Sequence, residues 1–587
     1  MKRILIFLLL ISFTAPGWSQ KRTTKKAKKQ TTQKKSTPAK KKTTAAPVKK
    51  KEAEPAVAEN EPDTMKQKTV VITSSFKPSL RNAAKVNFSA ASPLPDSVLP
   101  TLQYNVPSQN LVFAYEPTTL KPVALSIDSL VPWENSNYIK AGFGNYSTPF
   151  LQAGFSFGDG KQTIINANVN HISSKGKLPF QEYSKTGAEV IGIFNPNDNI
   201  EVNGKVYFDN NSQYQYGFLP DTLKYNKDDI RQRFTTFGIK AGLRNKQENS
   251  FGISYAPSIN FSAFNDNRNG KETNLVVDAP LSKSFMKIFA FNLGVTADIT
   301  SYKSDSAKGG TINNNLFYVS PAVQYKTPNL KIVAGFTPAW DNSSFNMLPN
   351  FTLESKIKDE KFIFMAGWKG YYNKTTYQYL AGINPWLQHP TDLLNTKMNE
   401  FYAGFKGSAG SHFTYNAKVS YLKYNNQPLF VNDTITGKSF QIVNEPDMKA
   451  IRLHGEIGYT EQEKFSLLAG ATLTQFSDLQ VNEKAWGMLP LEVNGSLRWQ
   501  LLKDLMIKGD VFFWDGAQYR NKVLQSQKLS AAMDMNAGVE FTVLPQLNVW
   551  VQFNNLFNNR YQRWNQYEVL GFNVLGGVVY SFGKSGK

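Results

Sequence analysis

Residues 200–209 read IEVNGKVYFD and alternate in polarity over their whole length. Successive side chains of a β-strand point to opposite faces, so Val202 and Val206 share an apolar face while Glu201 and Lys205 share a polar one. A tilted strand needs about ten residues to cross the hydrocarbon core of a membrane. The stretch therefore predicts a transmembrane strand with one face toward lipid and the other toward a wet lumen.

The same alternation recurs along the rest of the chain, for example in 450–459, 491–500 and 505–514. Short turns are predicted at 159–160, 195–198, 245–248, 281–283, 327–329, 359–360, 409–410, 461–463, 502–504 and 544–546. Most of the connections between them are longer, namely 211–230, 374–396, 425–447, 515–527 and 557–570. Alternating short turns and long loops are typical of outer-membrane barrels.

A soluble β-sandwich also alternates in polarity, but here charged residues follow the second face from end to end. We therefore predict an all-β fold, a transmembrane antiparallel β-barrel of about 22 strands (20–24 are acceptable) that occupies residues 133–587. Aromatic residues at strand ends are predicted to form interfacial girdles: Trp340, Tyr371, Tyr372, Trp499, Trp514, Tyr561 and Tyr580.

The N-terminal residues predict export. Lys2 and Arg3 precede the apolar run 4–13, and small residues follow at Gly17 and Ser19, so residues 1–19 are predicted to be a signal peptide. A helical anchor is the alternative, but the apolar run is too short to span a bilayer. The sequence contains no cysteine, which excludes a lipoprotein anchor, a disulfide framework and a thiolate metal site.

The net charge of +22 comes largely from a tail. Residues 20–62 are rich in Lys, Thr, Ala and Pro, and such a segment cannot bury enough apolar surface to become ordered. We predict a disordered periplasmic tail, either a solvated tether or a contact for anionic polymer or lipid headgroups. Because most of the basic excess lies in this tail and not over the folded part, no nucleic-acid partner is predicted. Residues 63–132 are interrupted by prolines and are predicted to be a short, irregular periplasmic or lumenal segment.

A family resemblance is carried by the C-terminal end. Residues 554–561 read NNLFNNRY, which is similar to the NLF(D/N)xxY element on the penultimate strand of TonB-dependent receptors of the Bacteroidetes type. Residues 571–582 end in Tyr580-Ser581-Phe582, which resembles the signal that the barrel-assembly machinery recognises. The chain departs from this family in 63–132, which is much shorter than a full plug domain and looks like a truncated one.

The resemblance implies a cell outer-membrane protein that takes part in nutrient uptake, with the lipid bilayer, the assembly machinery and TonB, or a partner outer-membrane protein or lipoprotein, as its partners. The β-prone patch Val70, Val71 and Ile72 is the candidate energy-coupling segment. The missing plug keeps a second function open, a non-transporting structural or assembly barrel that scaffolds an outer-membrane complex.

No enzyme is predicted, because the sequence shows no nucleophile elbow, phosphate-binding loop or metalloprotease motif. The four histidines are scattered, so no metal site or cofactor is predicted. The candidate ligand contacts are aromatic residues of two long loops: Tyr214, Tyr216, Phe218, Tyr225, Tyr377, Tyr379 and Trp386. Exposed aromatic rings anchor ligands, but the same rings could instead pack together and seal the barrel mouth.

Overall fold

The computed structural model describes residues 137–462 and 464–583, which contain 27 β-strands and, in this part of the chain, one short α-helix. The predicted signal peptide, the tail, the segment 63–132 and the patch 70–72 lie outside the described residues. Their assignments stay predictions.

The strands of the first half are β1 (Asn137–Gly144), β2 (Thr148–Gly158), β3 (Thr163–Ser174), β4 (Tyr183–Asn197), β5 (Ile200–Tyr214), β6 (Arg231–Asn245), β7 (Ile253–Tyr255), β8 (Ser258–Asp266), β9 (Lys271–Phe285), β10 (Phe289–Lys303), β11 (Thr311–Lys326), β12 (Leu330–Asp341), β13 (Ser344–Lys358) and β14 (Phe362–Asn373). The helix α1 (Tyr377–Ile383) follows. The strands of the second half are β15 (Thr396–Ala409), β16 (Phe413–Asn432), β17 (Phe440–Glu461), β18 (Phe465–Ser477), β19 (Leu491–Leu502), β20 (Leu505–Trp514), β21 (Gln518–Arg520), β22 (Ser526–Lys528), β23 (Ala532–Leu544), β24 (Leu547–Asn554), β25 (Gln562–Trp564), β26 (Tyr567–Glu568) and β27 (Asn573–Phe582).

The main sheet closes on itself. It contains 23 strand segments, and β7 and β8 are the two halves of one strand, since both pair with β9 in the same register. The interruption falls at Pro257, which has no N–H to donate to a ladder. The last strand pairs antiparallel with the first, from Asn137 opposite Phe582 to Gly144 opposite Leu575. The result is a closed 22-stranded antiparallel barrel, as predicted.

The outer surface of the barrel is apolar. In β5, Val202, Val206 and Phe208 are 39–44% exposed, whereas Glu201 faces the interior and is buried. The pattern recurs in β17, where Ile451, Leu453 and Ile457 are exposed. The predicted faces are therefore confirmed, and an outward apolar surface on a closed barrel defines a transmembrane β-barrel.

The girdle prediction is confirmed for Trp340, Trp499 and Tyr580, which are 39–47% exposed on the outer surface. It is wrong for the other four aromatics: Tyr372, Trp514 and Tyr561 are buried, and Tyr371 packs against a buried cluster. Tyr561 lies in a loop, Tyr371 and Trp514 pack against clusters that include loop residues, and Tyr372 packs against residues of neighbouring strands. Sequence position at a strand end does not distinguish the two environments.

Two predicted connections are also wrong. Residues 281–283 lie inside β9, where the Ser282 hydroxyl donates to Asn292 Oδ1 across the inner wall at 2.7 Å. The turn lies instead at 286–288, where Met286 and Lys287 have positive φ. Residues 425–447 are mostly strand, because β16 and β17 continue as a hairpin whose loop is only 433–439.

Candidate functional site

The long connections gather at one end of the barrel, and we call the structure that they form the cap. Its segments are 175–182, 215–230, 374–395, 427–445, 478–490, 515–531 and 555–572. They leave the barrel at strands that are far apart in the sheet order, yet they contact one another. The cap therefore bridges the mouth of the barrel, and the short turns occupy the other end.

An aromatic cluster holds the centre of the cap. The rings of Trp386 and Tyr567 stack with their centroids 3.9 Å apart, and the edge of Tyr216 meets Tyr567 at 4.9 Å. Phe440 contacts both Trp564, at 5.4 Å, and Tyr567. Four different segments of the cap supply these rings. Trp386 and Tyr567 are almost fully buried, so apolar burial is what joins the segments.

Hydrogen bonds between segments fix how they meet. The Trp386 indole N–H donates to the carbonyl of Tyr214 at 3.1 Å, and the Tyr216 hydroxyl donates to the carbonyl of Glu568 at 2.7 Å. Arg563, stacked over Trp564, donates to the carbonyl of Gly487 at 2.9 Å. Each bond joins two connections that leave the barrel at different strands.

Helix α1 is attached to the inner wall by carboxylates. Thr376 caps its N-terminus, and the buried Glu272 carboxylate accepts the N–H groups of Tyr377 at 2.5 Å and Gln378 at 3.1 Å. A carboxylate at this position satisfies orphan amide donors and complements the helix dipole. Asp266, whose side chain is fully covered, accepts from the Tyr377 hydroxyl at 2.5 Å and lies 2.6 Å from His389 Nε2.

The hairpin 427–445, which we call the arm, supports the rest of the cap. It extends past its neighbours, because the pairing of β15 with β16 stops at Asn425 and that of β17 with β18 stops at Lys449. One edge of the arm therefore remains open to other segments. Phe440 uses it to exchange backbone hydrogen bonds with Trp386 and Gln388, at 3.1 and 2.8 Å.

Two further carboxylates order the arm and its neighbour. At the arm's tip, Asp433 accepts the N–H groups of Ile435, Thr436 and Ser439 at 2.9–3.0 Å. Burial alone would raise the pKa of Asp433, but these hydrogen bonds outweigh burial and lower it.

At the other end of the arm, the fully buried Glu445 accepts the N–H groups of Gln480, Val481 and Asn482 at 2.7–3.0 Å. It also accepts from the side-chain amide of Asn482 at 3.0 Å. One carboxylate thus attaches segment 478–490 to the arm through charge-assisted hydrogen bonds.

The structure places the predicted ligand residues mostly inside the cap. Tyr377 and Trp386 are buried, and Tyr216 and Tyr379 pack against the same cluster. Such rings can reach a ligand only if the cap moves.

The remaining three predicted residues lie in or next to segment 215–230 and are partly exposed. The edge of Phe218 meets Tyr225 at 4.9 Å, the Lys438 ammonium lies 5.4 Å from the Tyr225 ring, and the Lys227 ammonium lies 5.0 Å from Tyr214. The structure therefore brings both aromatic loops into one cap, while ligand contact by any of these residues stays a prediction.

Sequence reasoning missed the carboxylates that hold the cap: Asp266, Glu272, Asp433 and Glu445. It also missed the apolar partners Phe440, Trp564 and Tyr567. Acidic residues next to the loops were a possible signal, but the sequence of a loop does not show which amide groups another loop will supply. Within residues 137–462 and 464–583, no group of three or more His, Cys, Asp or Glu side chains could hold a metal ion.

The inner wall below the cap carries ladders of polar side chains. Lys205 pairs with Glu189 at 2.6 Å, and Arg244 pairs with Glu201 at 2.7 Å, each across neighbouring strands. The polar lumen and apolar exterior together reverse the arrangement of a soluble protein. In the described part of the chain, no helix is long and apolar enough to cross a lipid bilayer.

Comparison with known proteins agrees with this architecture. The sequence matches no protein-family model and no curated protein. Among solved structures, the barrel is similar to the FrpB iron transporter from Neisseria meningitidis, with a TM-score of 0.59 and 11% identity over 77% of this chain and 82% of that one.

Two siderophore receptors show the same similarity. PirA from Acinetobacter baumannii gives a TM-score of 0.59 and 10% identity over 76% of this chain and 80% of the receptor. A mutant of the ferric enterobactin receptor PfeA from Pseudomonas aeruginosa gives 0.56 and 11% over 76% and 80%. At this level of identity the similarity concerns the fold. The chain is thus a large transmembrane β-barrel with the architecture of outer-membrane receptors.

Proposed function

We propose that this protein is a receptor-type barrel of the cell outer membrane that takes up a nutrient. The observation that carries the proposal is the combination of a closed 22-stranded barrel, a polar lumen and a cap built from the long loops. The fold similarity to an iron transporter and to siderophore receptors supports it, and makes a ferric siderophore the first substrate to test. The short turns face the periplasm and the cap faces the exterior.

In this proposal the cap is a gate. Seven loop segments cover the mouth, so a solute larger than water must displace some of them to enter the lumen. Segment 374–395 is the moving part we favour, because its only backbone pairing with the arm in the described residues is the isolated bridge between Leu387 and Phe440, and its other contacts with the arm are made by side chains. Aromatic residues such as Trp386 become accessible when this segment moves.

A reversible crosslink tests the gate. The chain has no cysteine, so Leu387→Cys with Phe440→Cys introduces a single pair at bridged backbone positions, where the spacing suits a disulfide. Under oxidising conditions we expect the double variant to lose growth on limiting iron supplied as ferric siderophores, and to regain it on reduction. The single variants should grow under both conditions.

A matched control places the crosslink inside one segment. Gln518 and Lys528 are opposite each other in the β21–β22 hairpin, so Gln518→Cys with Lys528→Cys joins no two segments of the cap. Growth of this control after oxidation would show that the oxidant and surface cysteines are harmless. Undiminished uptake by the oxidised 387–440 pair would contradict a gate at this position.

Energy coupling by TonB is part of the proposal and rests on the resemblance of the sequence. We propose that Val70, Val71 and Ile72 form the extended segment that the coupling protein pairs with. Proline removes a backbone donor and fixes φ, so Val71→Pro should abolish uptake without changing the amount of barrel in the membrane. Val71→Thr, which keeps the N–H group and the β-branched shape, is the control.

One observation favours the second candidate, a scaffold that transports nothing. A buried cluster of fifteen residues, ten of them in the cap, joins the cap to the barrel wall, and a core of this kind is suited to a permanently closed mouth. A scaffold would tolerate both the oxidised crosslink and Val71→Pro. Loss of co-purifying outer-membrane partners on deletion of residues 20–62, with normal uptake by both variants, would favour it over the receptor.

A further inference from the structure

A group of lysines lies on one section of the inner wall. Lys331 belongs to β12, Lys369 to β14, Lys406 to β15 and Lys418 to β16. Their neighbours in sequence point outward: Trp368, Phe405 and Val419 are 39–45% exposed on the apolar surface. Because side chains alternate along a strand, the lysines face the lumen.

Two of these lysines are matched by carboxylates. Lys406 Nζ lies 2.9 Å from Glu354 Oε1, and Lys418 Nζ lies 2.6 Å from Glu400 Oε1. Glu400 is buried and also accepts from the Ser420 hydroxyl at 2.7 Å. Both carboxylates therefore already hold a short ion pair.

The other two lysines share the same two carboxylates: Lys331 lies opposite Glu354 in the β12–β13 ladder, and Lys369 lies opposite Glu400 in the β14–β15 ladder. The negative charges that act on Lys331 and Lys369 are those same two, Glu354 and Glu400. The positive charge of Lys406 acts on Lys331, and that of Lys418 acts on Lys369. This section of wall thus carries four ammonium groups and two carboxylates, with a surplus of positive charge inside a partly enclosed lumen.

Confinement increases the effect of that surplus. Lys331 and Lys369 are only half exposed, and charges in a cavity with low-dielectric walls attract counter-ions more strongly than charges on an open surface. We propose that this section of the wall, which we call the lysine wall, binds a small solute that carries at least two negative charges on carboxylate or phosphate oxygens. Lys331 and Lys369 provide the affinity, and the two ion pairs on either side fix their positions.

This proposal extends the proposed function by specifying the charge of the solute. It rests on the proposed function only for the inward movement of the bound solute. Binding itself can be measured without transport. The full-length protein is purified in a non-ionic detergent and titrated with tripolyphosphate in a calorimeter at low ionic strength. We expect one tight site per chain.

Single-residue variants distinguish binding at the lysine wall from a general effect of positive charge in the lumen. Lys331→Gln and Lys369→Gln should each weaken tripolyphosphate binding about three- to tenfold, and the double variant roughly ten- to a hundredfold. Lys205→Gln removes one positive charge from another part of the same lumen, where the lysine is paired with Glu189, and should change binding less than twofold. Equal weakening by Lys205→Gln and Lys369→Gln would overturn the proposal.

Failure of the wild type to bind tripolyphosphate would also overturn the site. A protein that binds the probe at the lysine wall but transports nothing would contradict the proposed function and leave this site intact.

Discussion

The wall of the barrel and the cap are stabilised in opposite ways. In the wall, backbone ladders run between neighbouring strands and apolar side chains such as Val206 point outward. In the cap, side chains such as Trp386 point inward into an aromatic cluster, and regular ladders are short. The wall needs a membrane to cover its apolar surface, whereas the cap covers its own.

The difference indicates which part of the protein can move. Every strand of the wall is paired on both sides, so displacing one breaks two ladders. A segment of the cap such as 374–395 is held by side-chain packing, side-chain hydrogen bonds and one isolated bridge and, in the described part of the chain, by no continuous ladder. We therefore expect functional motion in the cap and not in the wall.

The largest effect is expected for Trp386→Ala. Removing a buried Trp from a packed cluster costs about 3–5 kcal/mol, and here the loss also removes the indole hydrogen bond to Tyr214. We expect amide hydrogen exchange in 374–395 and 555–572 to accelerate strongly while the barrel strands stay protected. Trp499→Ala, on the outer surface, should leave the cap unchanged. Equal protection of the cap in both variants would show that the cluster does not hold it.

Val206→Arg tests the wall. Its neighbours Val190 and Ile239 are equally exposed on the outer surface, so an arginine there would meet lipid on all sides. Near the midplane this costs roughly 2–4 kcal/mol, measured as the free energy of unfolding in lipid vesicles.

The adjacent Lys205→Ala removes only a half-exposed ion pair with Glu189 and should cost less than about 1 kcal/mol. Similar losses from Val206→Arg and Lys205→Ala would mean that the two faces of β5 are assigned wrongly. Neither change should alter amide hydrogen exchange in the cap, since both positions lie in the middle of β5, away from its loop.

Glu445→Gln should loosen one segment of the cap. The amide keeps one acceptor oxygen and loses the charge, so the hydrogen bonds to 480–482 weaken by roughly 1.5–3 kcal/mol. Hydrogen exchange should rise in 478–490 and much less in 374–395. Glu483→Gln, an exposed change in the same segment, is the control. A response to Glu483→Gln as large as that to Glu445→Gln would remove the buried carboxylate from the explanation.

The smallest effect is expected from acid. The pKa of Asp433 is lowered in the folded protein, so its carboxylate stabilises the tip of the arm at every pH above the usual Asp value of 3.8. That stabilisation is lost as the pH falls through the lowered value. We expect exchange in 433–439, corrected for the intrinsic rate, to increase as the pH falls below 3.8, and to be independent of pH in Asp433→Asn.

Much of the wall could be predicted from the sequence. Alternation in segments such as 200–209 was enough to assign faces, and turn residues were enough to count the strands. The errors fall where polar residues serve the lumen: Ser282 looked like a turn residue because hydroxyls are common in turns, but here it belongs to the inner wall. Residues 425–447 looked like a loop because the arm lacks a lipid face and so lacks alternation.

The closed barrel follows from the sequence, since a period of two and a membrane-length strand are local properties of each segment. The cap depends on contacts between distant segments. Whether Tyr216 binds a ligand or packs on Tyr567 depends on which loops meet, and those loops are separated by hundreds of residues. The same holds for the lysine wall, where the strand register places Lys369 opposite Glu400, a carboxylate that also pairs with Lys418.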